Sequence, residues 1–279
     1  MSGGTRAYAP ATTHDIAFER GNVVKRFRGR AQAEARREWQ ALNLLARYAP
    51  GLAAEPVCQR LEDSPPLVAM TVVPGRPLGS EPLTAAQLDA VAVALDQLHR
   101  AIPDAILRGL EDSGTLPRVV GRIRQLAAAC PVSSLEPLPA RAWRSALAWL
   151  NSDWAAEVAG AGGRPVFGLG DGNLANLLWD GERVRLVDFE DSGPSHRAQE
   201  LADLVEHISV WAGAAVEAEA VLGRFDLSPA ECHQVAVLRR LFAAFWLMML
   251  LPGGPASHRN PPGTLDRQAA RLLELLNAS

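Results

Sequence analysis

Short apolar runs separated by turn residues mark the beginning of the chain. Residues 14–27 predict a hairpin, with two strand-like runs around a turn at Gly21. Residues 31–48 carry apolar side chains at helical spacing. Residues 67–73 form a third strand-like run, which Pro74 stops. The pattern therefore predicts a small mixed sheet with one helix.

Beyond residue 73 the apolar positions mostly follow the period of an α-helix. Residues 84–100 predict a helix that Thr84 can cap. Further helices are predicted over residues 140–158, 198–221, 228–251 and 264–276. One island of strand, residues 166–189, interrupts them. We therefore predict two lobes, a sheet lobe over residues 1–73 and a mainly helical lobe over residues 74–279.

Composition restricts the class of protein. The 279 residues are 48% hydrophobic, which is enough for a substantial core. The net charge of -3 argues against a general nucleic-acid binder, which usually shows a basic excess. The longest apolar run, residues 241–251, is about half as long as a membrane span, so it predicts a buried helix and no membrane partner. Three scattered cysteines predict neither a disulfide framework nor a zinc site, and the simplest compartment is a reducing cytoplasm. The oligomeric state stays open.

The strand island contains a strong hairpin signal at Asp180-Gly181. With these two residues as the whole turn, Asn176 lies opposite Arg185. A loop longer by two residues instead places Asn176 opposite Val187. Both registers stay open on the sequence alone.

In either register, three oxygen-bearing side chains converge at the open end of this ribbon. Asn176 and Asp188 lie on adjacent strands, and Asp171 lies in the glycine-rich loop that leads into the first of them. Such oxygens are ligands for Mg²⁺, which prefers one or two protein carboxylates plus substrate phosphates. A third polar group outside the metal shell can orient or deprotonate an attacking hydroxyl. Phosphoryl transfer requires this division of roles.

The run Leu169-Gly170-Asp171, with Asn176 five residues later and Asp188-Phe189-Glu190 beyond it, resembles a known catalytic motif. It is similar to the catalytic loop and metal-binding motif of the aminoglycoside phosphotransferase and choline kinase superfamily. The resemblance covers most of the chain and implies an α+β, two-lobed protein-kinase-like fold. It also implies that Asp171 is the catalytic base and that Asn176 and Asp188 hold Mg²⁺. Relatives carry His where this chain has Leu169, and that histidine mostly supports the loop.

By the same resemblance, the protein transfers the terminal phosphate of ATP or GTP to a hydroxyl of a small molecule. Aminoglycosides, other antibiotics, amino sugars and amino alcohols all stay open as acceptors, because fold does not fix function.

Lys25 is the only lysine among the 28 basic Lys and Arg residues. Lysine presents a compact charge on a thin stem, which a phosphate site in a narrow cleft can require, whereas arginine presents a broad fork. In kinase-like proteins a lysine in this strand contacts the nucleotide phosphates and pairs with a helix glutamate. The resemblance therefore implies Glu38 as the partner, with Glu34 as second choice. The alternative is a solvated lysine on a strand.

Residues 70–75 resemble the strand and hinge behind the adenine of a bound nucleotide. Backbone groups read the base there, which makes Met70 and Val72 candidates for nucleotide binding. An ordinary strand that ends at Pro74-Gly75 is equally compatible with the sequence.

Several acidic residues follow the metal motif, namely Glu190, Asp191, Asp203 and Glu206. An acidic wall could receive a cationic amino group of the acceptor, as in relatives that modify aminoglycosides or choline. The alternative is a solvated helix face.

Two other functions are compatible with parts of the sequence. Gly168-x-Gly170, followed by Asp188 at a strand end, partly mimics a dinucleotide-binding unit. The segment before the turn at residue 180 is too short for the crossover helix that such a unit needs. The second alternative is a kinase-shaped protein that binds nucleotide without transferring phosphate. Leu169 and the lack of a glycine-rich loop before Lys25 favour it, whereas the presence of all four motif residues favours an enzyme.

Overall fold

Four antiparallel strands and one helix make up the beginning of the described chain. The structure is a computed structural model that describes residues 14–29, 31–111, 115–155, 158 and 165–278. The strands are β1 (Asp15–Glu19), β2 (Asn22–Arg26), β3 (Pro56–Arg60) and β4 (Leu67–Thr71), and helix α1 spans Gln32–Tyr48. Their order in the sheet is β1-β2-β4-β3.

The predicted hairpin, helix and third strand are confirmed, but β3 was not predicted. Its side chains are mostly exposed, and it pairs with β4 alone, with a register shift between Pro56 and Cys58. An edge strand of this kind lacks the apolar alternation by which a half-buried strand is recognised.

Helices make up most of the remaining described chain. They are α2 (Ala85–Ala101), α3 (Asp104–Leu107), α4 (Thr115–Ala129), α5 (Pro137–Leu150), α6 (Arg197–Glu206), α7 (Ala218–Leu222), α8 (Pro229–Leu250) and α9 (Thr264–Asn277). Thr84 caps α2 as predicted, in a capping box with Gln87, and Ser228 caps α8 in the same way with Glu231. The predicted helices over residues 84–100, 228–251 and 264–276 are therefore confirmed.

The single helix predicted over residues 198–221 is wrong. Helix α6 ends at Glu206, a π-helical turn follows at Ser209–Gly213, and α7 comes after it. The break occurs where His207 takes an extended backbone and its ring Nδ1 accepts the backbone N–H of Ser209 at 3.1 Å. A side chain that bonds the local backbone in this way competes with the helical hydrogen bond.

The helix predicted over residues 140–158 is displaced toward the N-terminus. It begins at Pro137, because the first turn of a helix tolerates a residue without a backbone N–H. It ends at Leu150, and the Ser152 hydroxyl donates to the carbonyl oxygen of Trp149 at 2.7 Å beyond that point. Residues 156 and 157 of the predicted span lie outside the described residues.

The strand island forms two small sheets. Strands β7 (Leu177–Trp179) and β8 (Val184–Leu186) pair in a ribbon that β5 (Arg76–Pro77) extends. Strand β6 (Pro165–Gly168) pairs with β9 (Gly193–His196), which was not predicted.

The register of the ribbon is that of the longer loop. Trp179 pairs with Val184, and the Val187 N–H donates to the Asn176 carbonyl oxygen at 3.0 Å. The alternative register, with Asp180-Gly181 as the whole turn, is not the one observed. The Asp180 carboxylate instead accepts the backbone N–H groups of Glu182 and Arg183, each at 2.9 Å, so the turn includes both residues. Asp180 therefore begins the turn, as aspartates commonly do.

Helix α8 lies at the centre of the helical region and packs against α6, α9, α4 and α5. It is the one described helix that is long and apolar enough to cross a membrane, but 61% of its most apolar window is buried inside the protein. That burial confirms the buried helix predicted around residues 241–251 and is typical of a core helix of a soluble protein. The cytoplasmic compartment and the lobe boundary at residue 73 stay predictions.

Candidate active site

Lys25 lies at the centre of a cluster of three carboxylates. It is 5% exposed, and its Nζ lies 2.9 Å from Glu38 Oε2 and 2.7 Å from Glu190 Oε2, with Asp188 Oδ1 as a third partner. Burial alone would lower the pKa of Lys25, but the charges of the three carboxylates outweigh it and hold the pKa above its ordinary value. The expected Lys25–Glu38 pair is present, and the alternative partner, Glu34, instead approaches His14.

Asp188 is held in position by backbone conformation as much as by its ion pair. It has a φ of 68°, in the left-handed region where Asp and Asn are enriched among non-glycine residues. The next residue, Phe189, is fully buried, and its N–H donates to Glu38 Oε2 at 3.0 Å. The same glutamate oxygen thus holds both Lys25 and the backbone beside Asp188.

Asp171 lies in the loop between β6 and β7, beside Asn176. Its Oδ2 accepts a hydrogen bond from Asn176 Nδ2 at 3.0 Å, and its Oδ1 accepts the N–H of Asn173 at 3.1 Å. Burial and then the charge of Asp188 raise the pKa of Asp171 to about 6, against these two hydrogen bonds. The carboxyl is therefore mostly ionised at neutral pH but basic enough to accept a proton.

His207 also faces Asp171. Its Nε2 lies 3.8 Å from Asp171 Oδ1, while its Nδ1 is engaged by Ser209. Burial lowers the pKa of His207 to about 3, so the imidazole is neutral at physiological pH. It therefore adds no positive charge that would counteract the raised pKa of Asp171.

Two carboxylates of helix α6 hold the loop that carries Asp171. Glu200 Oε2 accepts the N–H groups of Leu169 at 2.8 Å and of Gly170 at 3.2 Å, and Asp203 Oδ2 accepts the N–H of Gly172 at 3.0 Å. The Leu169 side chain is buried in the core. Backbone bonds to α6 thus fix the loop in a chain that lacks the usual histidine.

The same loop approaches its neighbours too closely for side chains at two positions. Gly170 has a φ of 77°, and a Cβ there would lie 2.3 Å from the carbonyl oxygen of Asp191. A Cβ on Gly172 would lie 2.7 Å from the backbone of Asp203. Only glycine allows the loop to pack this closely against the backbone of Asp191 and of Asp203 in α6.

We expect Glu200→Ala to lower the free energy of unfolding by about 2–4 kcal/mol, since it leaves two buried backbone N–H groups without a partner. Glu200→Gln retains an acceptor oxygen and should lose clearly less. Chemical denaturation of both variants measures the difference. Equal stabilities of the two variants would contradict a loop-holding role for Glu200.

Two of the four members of the predicted acidic wall, Glu206 and Glu190, have partners of their own. Glu206 is fully buried and lies 2.7 Å from Arg239 and 2.6 Å from Arg271, so it cannot contact an acceptor. Glu190 pairs with Lys25 and His14, so it is part of the carboxylate cluster around the Lys25 ammonium. Asp191 and Asp203 both line a cleft with Asp171, and their contact with an acceptor stays a prediction.

The two hinge candidates lie at the end of β4. Met70 is buried and pairs with Val23, and Val72 follows the last strand residue and is 46% exposed. Their contact with a nucleotide base stays a prediction.

A cleft of about 310 Å³ adjoins Asp171 and runs between α4 and α8. We call it the α4–α8 cleft. Gly170, Asp171, Asp191 and Asp203 are among the residues that line it. Its sides are lined by Arg118, Val119, Arg122, Phe242, Phe245, Trp246 and Met249.

The side-chain oxygen atoms of Asn176 and Asp188 fit a magnesium ion by their chemistry. Asn176 donates its Nδ2 to Asp171, and within the described chain its Oδ1 accepts no hydrogen bond. Asp188 contributes a carboxylate that is 39% exposed. An amide oxygen and a carboxylate, completed by phosphate oxygens, form a suitable ligand set for Mg²⁺.

Solved structures similar to this chain include proteins described as small-molecule kinases and phosphotransferases. A choline/ethanolamine kinase family protein from Mesorhizobium loti superposes with a TM-score of 0.65 at 17% identity, over 96% of this chain and 86% of that one. Choline kinase LicA from Streptococcus pneumoniae gives 0.64 at 16% identity, over 97% and 92%. Spectinomycin phosphotransferase APH(9)-Ia gives 0.60 at 13% identity, over 100% and 91%. At these identities the likeness shows the fold, which is the predicted two-lobed protein-kinase-like fold.

The sequence profile of the phosphotransferase enzyme family matches residues 16–232. The chain therefore belongs to this family, which confirms the predicted relationship and the small-molecule kinase class. No curated protein matches the chain in sequence. The dinucleotide-binding alternative is wrong, because a single 3-10 turn at Leu174–Asn176, and no crossover helix, connects β6 to β7.

Proposed function

We propose that the protein transfers the γ-phosphate of ATP to a hydroxyl group of a small molecule. The observation that supports this most strongly is the paired arrangement of Lys25–Glu38–Asp188 and Asp171–Asn176, joined by the ribbon. The first group supplies a buried ammonium for phosphates, and the second supplies a carboxylate with a raised pKa for the acceptor. Positioning and charge neutralisation of this kind carry most of the catalysis of phosphoryl transfer.

In this mechanism Lys25, oriented by Glu38, binds the inner phosphates of the nucleotide. Asn176 and Asp188 would hold a magnesium ion, which neutralises charge on the transferred group when bound. Asp171 accepts a hydrogen bond from the acceptor hydroxyl, aligns it with the phosphorus atom and takes its proton late in the reaction. Asn176 keeps the Asp171 carboxylate in place through the 3.0 Å hydrogen bond.

ATP is the preferred nucleotide in this proposal. The structural neighbours APH(9)-Ia and APH(2'')-Ib were solved with ADP bound, which supports an adenine nucleotide. Met70 and Val72 would read the base through their backbone groups. Comparison of ATP and GTP as phosphate donors tests this preference directly.

The experiment that tests the proposed function measures ADP release with Mg-ATP across a panel of hydroxylated small molecules, with the product identified by mass spectrometry. A phosphorylated acceptor supports the proposal. A protein that binds Mg-ATP and phosphorylates no member of a broad panel would favour the alternative, a nucleotide-binding protein without transfer activity.

We expect Lys25→Arg to lower kcat/KM for ATP by about 100-fold, comparable to the loss of one preorganised donor in other enzymes. The guanidinium is too broad for the buried space among three carboxylates that the ammonium fills. Arg26→Lys, on the exposed neighbouring position of β2, is the matched control and should change little. Full activity of Lys25→Arg would show that a compact cation is not required.

A further inference from the structure

We propose that the acceptor has a flat apolar or aromatic body and a carboxylate, and that Arg122 binds this carboxylate in the α4–α8 cleft. This inference rests on the proposed function for the hydroxyl transfer and adds the chemical class of the acceptor. Three features of the cleft support it: its size, its apolar wall and its charge.

The size of the cleft favours a small acceptor. About 310 Å³ is at the lower end of the range of about 300–1,000 Å³ for small-molecule sites. The cleft reaches Gly170 and Asp171, so a ligand within it can place a hydroxyl at the carboxylate of the proposed base.

One wall of the cleft is a stripe of apolar side chains on α8. Phe242, Phe245, Trp246 and Met249 follow the helical spacing of three and four residues, and all four line the cleft. Trp246 is held edge-on against the ring of Phe245, with centroids 5.5 Å apart. A wall of this kind buries the face of an aromatic or flat apolar ligand.

The acidic residues of the cleft offer little to a cation. Asp191 Oδ1 already pairs with Arg118 Nη1 at 3.0 Å. Asp203 accepts the N–H of Gly172, and burial raises its pKa well above the ordinary value, which favours the neutral form. Asp171 is the proposed base. Each described carboxylate in the cleft therefore already has a partner or a role in the proposed reaction.

Arg122 is the excess cation of the cleft. It lies one turn after Arg118 on α4 and donates from Nη1 to the neutral side chain of Gln125 at 2.7 Å. Within the described chain it has no carboxylate partner, whereas Arg118 is neutralised by Asp191. A half-buried guanidinium opposite an aromatic wall suits a planar carboxylate, which it can bind through two parallel hydrogen bonds.

The test is a series of benzyl alcohols that carry an anionic, a neutral or a cationic substituent at the same ring position. The probes are 3-(hydroxymethyl)benzoate, 3-methylbenzyl alcohol and 3-(aminomethyl)benzyl alcohol, titrated calorimetrically into the full-length protein. We expect the carboxylate to bind at least about tenfold more tightly than the ammonium compound, because one hydrogen bond to a charged group contributes about that factor to the affinity.

Two variants locate the effect. Arg122→Gln should weaken binding of the carboxylate about tenfold and leave binding of the neutral compound within about twofold. Arg124→Gln, on the exposed face of α4, is the matched control and should change neither affinity. Unfolding midpoints of both variants verify that they are folded.

The inference is overturned if the ammonium compound binds as tightly as the carboxylate, if the carboxylate does not bind measurably, or if Arg122→Gln leaves its affinity unchanged. Phosphate transfer is measured separately on the same compounds. Carboxylate-selective binding without transfer to these compounds or to any member of the broad panel would contradict the proposed function and leave the binding inference standing. Phosphorylation of the hydroxyl of the ammonium compound, without tighter binding of the carboxylate, would support the proposed function and overturn the binding inference.

Discussion

Asp171→Asn is expected to lower kcat for phosphate transfer by about 10²–10⁴-fold, the range of a general base, while the affinity for ATP stays close to that of the wild type. Asparagine has the shape of aspartate and one acceptor oxygen, so it can keep one of the two hydrogen bonds that Asn173 N–H and Asn176 Nδ2 donate, and the loop should stay folded. What is lost is the group that takes the proton. Steady-state rates with an acceptor from the panel, or of ATP hydrolysis, measure the change.

The pH dependence provides a second readout for Asp171. Because its pKa is raised to about 6, wild-type kcat should increase as pH increases through 6 and level off above it. Because the pKa of Asp171 is higher in the folded state than its ordinary value of 3.8, protonation of this carboxyl favours the folded state. This stabilisation is fully present below about pH 3.8 and is lost as the pH rises through 6. At pH 7.5 the ionised Asp171 therefore destabilises the fold, and Asp171→Asn should unfold at the same or a higher temperature.

The control for this variant is Asp153→Asn, at an exposed position. It should keep both the wild-type rate and the wild-type pH profile. A kcat for Asp171→Asn within about threefold of the wild type would exclude the base assignment, because a general base contributes far more.

Asp188→Asn is expected to reduce transfer by about 10³-fold at any attainable Mg²⁺ concentration, because a metal ion supplies several kcal/mol of charge stabilisation to the transition state. Asparagine is the matched substitution, since it tolerates the left-handed backbone at φ 68°. Lys25 keeps Glu38 and Glu190 as partners, so the site should stay folded.

The measurement is the rate as a function of Mg²⁺ concentration for the wild type and for Asp188→Asn. Asp63→Asn, at an exposed position in the sheet lobe, should follow the wild-type curve. If Asp188→Asn shows wild-type turnover at the same Mg²⁺ concentration, Asp188 is not a metal ligand.

The central residues of the candidate site could be predicted from the sequence because short local patterns mark them. A hairpin signal, a loop of glycines and a lone lysine each lie within a few residues of the feature that they define. The exact register of the ribbon was not determined, since it depends on how the Asp180 side chain bonds the turn. One of the two registers considered is nevertheless the one observed.

The missed strands and acidic assignments depend on distant partners. Strand β9, with the sequence Gly-Pro-Ser-His, has little intrinsic strand propensity and exists because it pairs with β6. Glu200 holds a loop about 30 residues before it, and Glu206 meets arginines on two later helices. Single-chain patterns report the face of a helix but not which element covers it, so a buried carboxylate and an exposed one look the same.

One oxygen atom of Glu38 accepts from both the Lys25 ammonium and the Phe189 N–H. Helix α1 therefore connects strand β2, which carries Lys25, to the backbone at Phe189. A tilt of α1 would displace the Lys25 ammonium and the backbone beside Asp188 in a single movement.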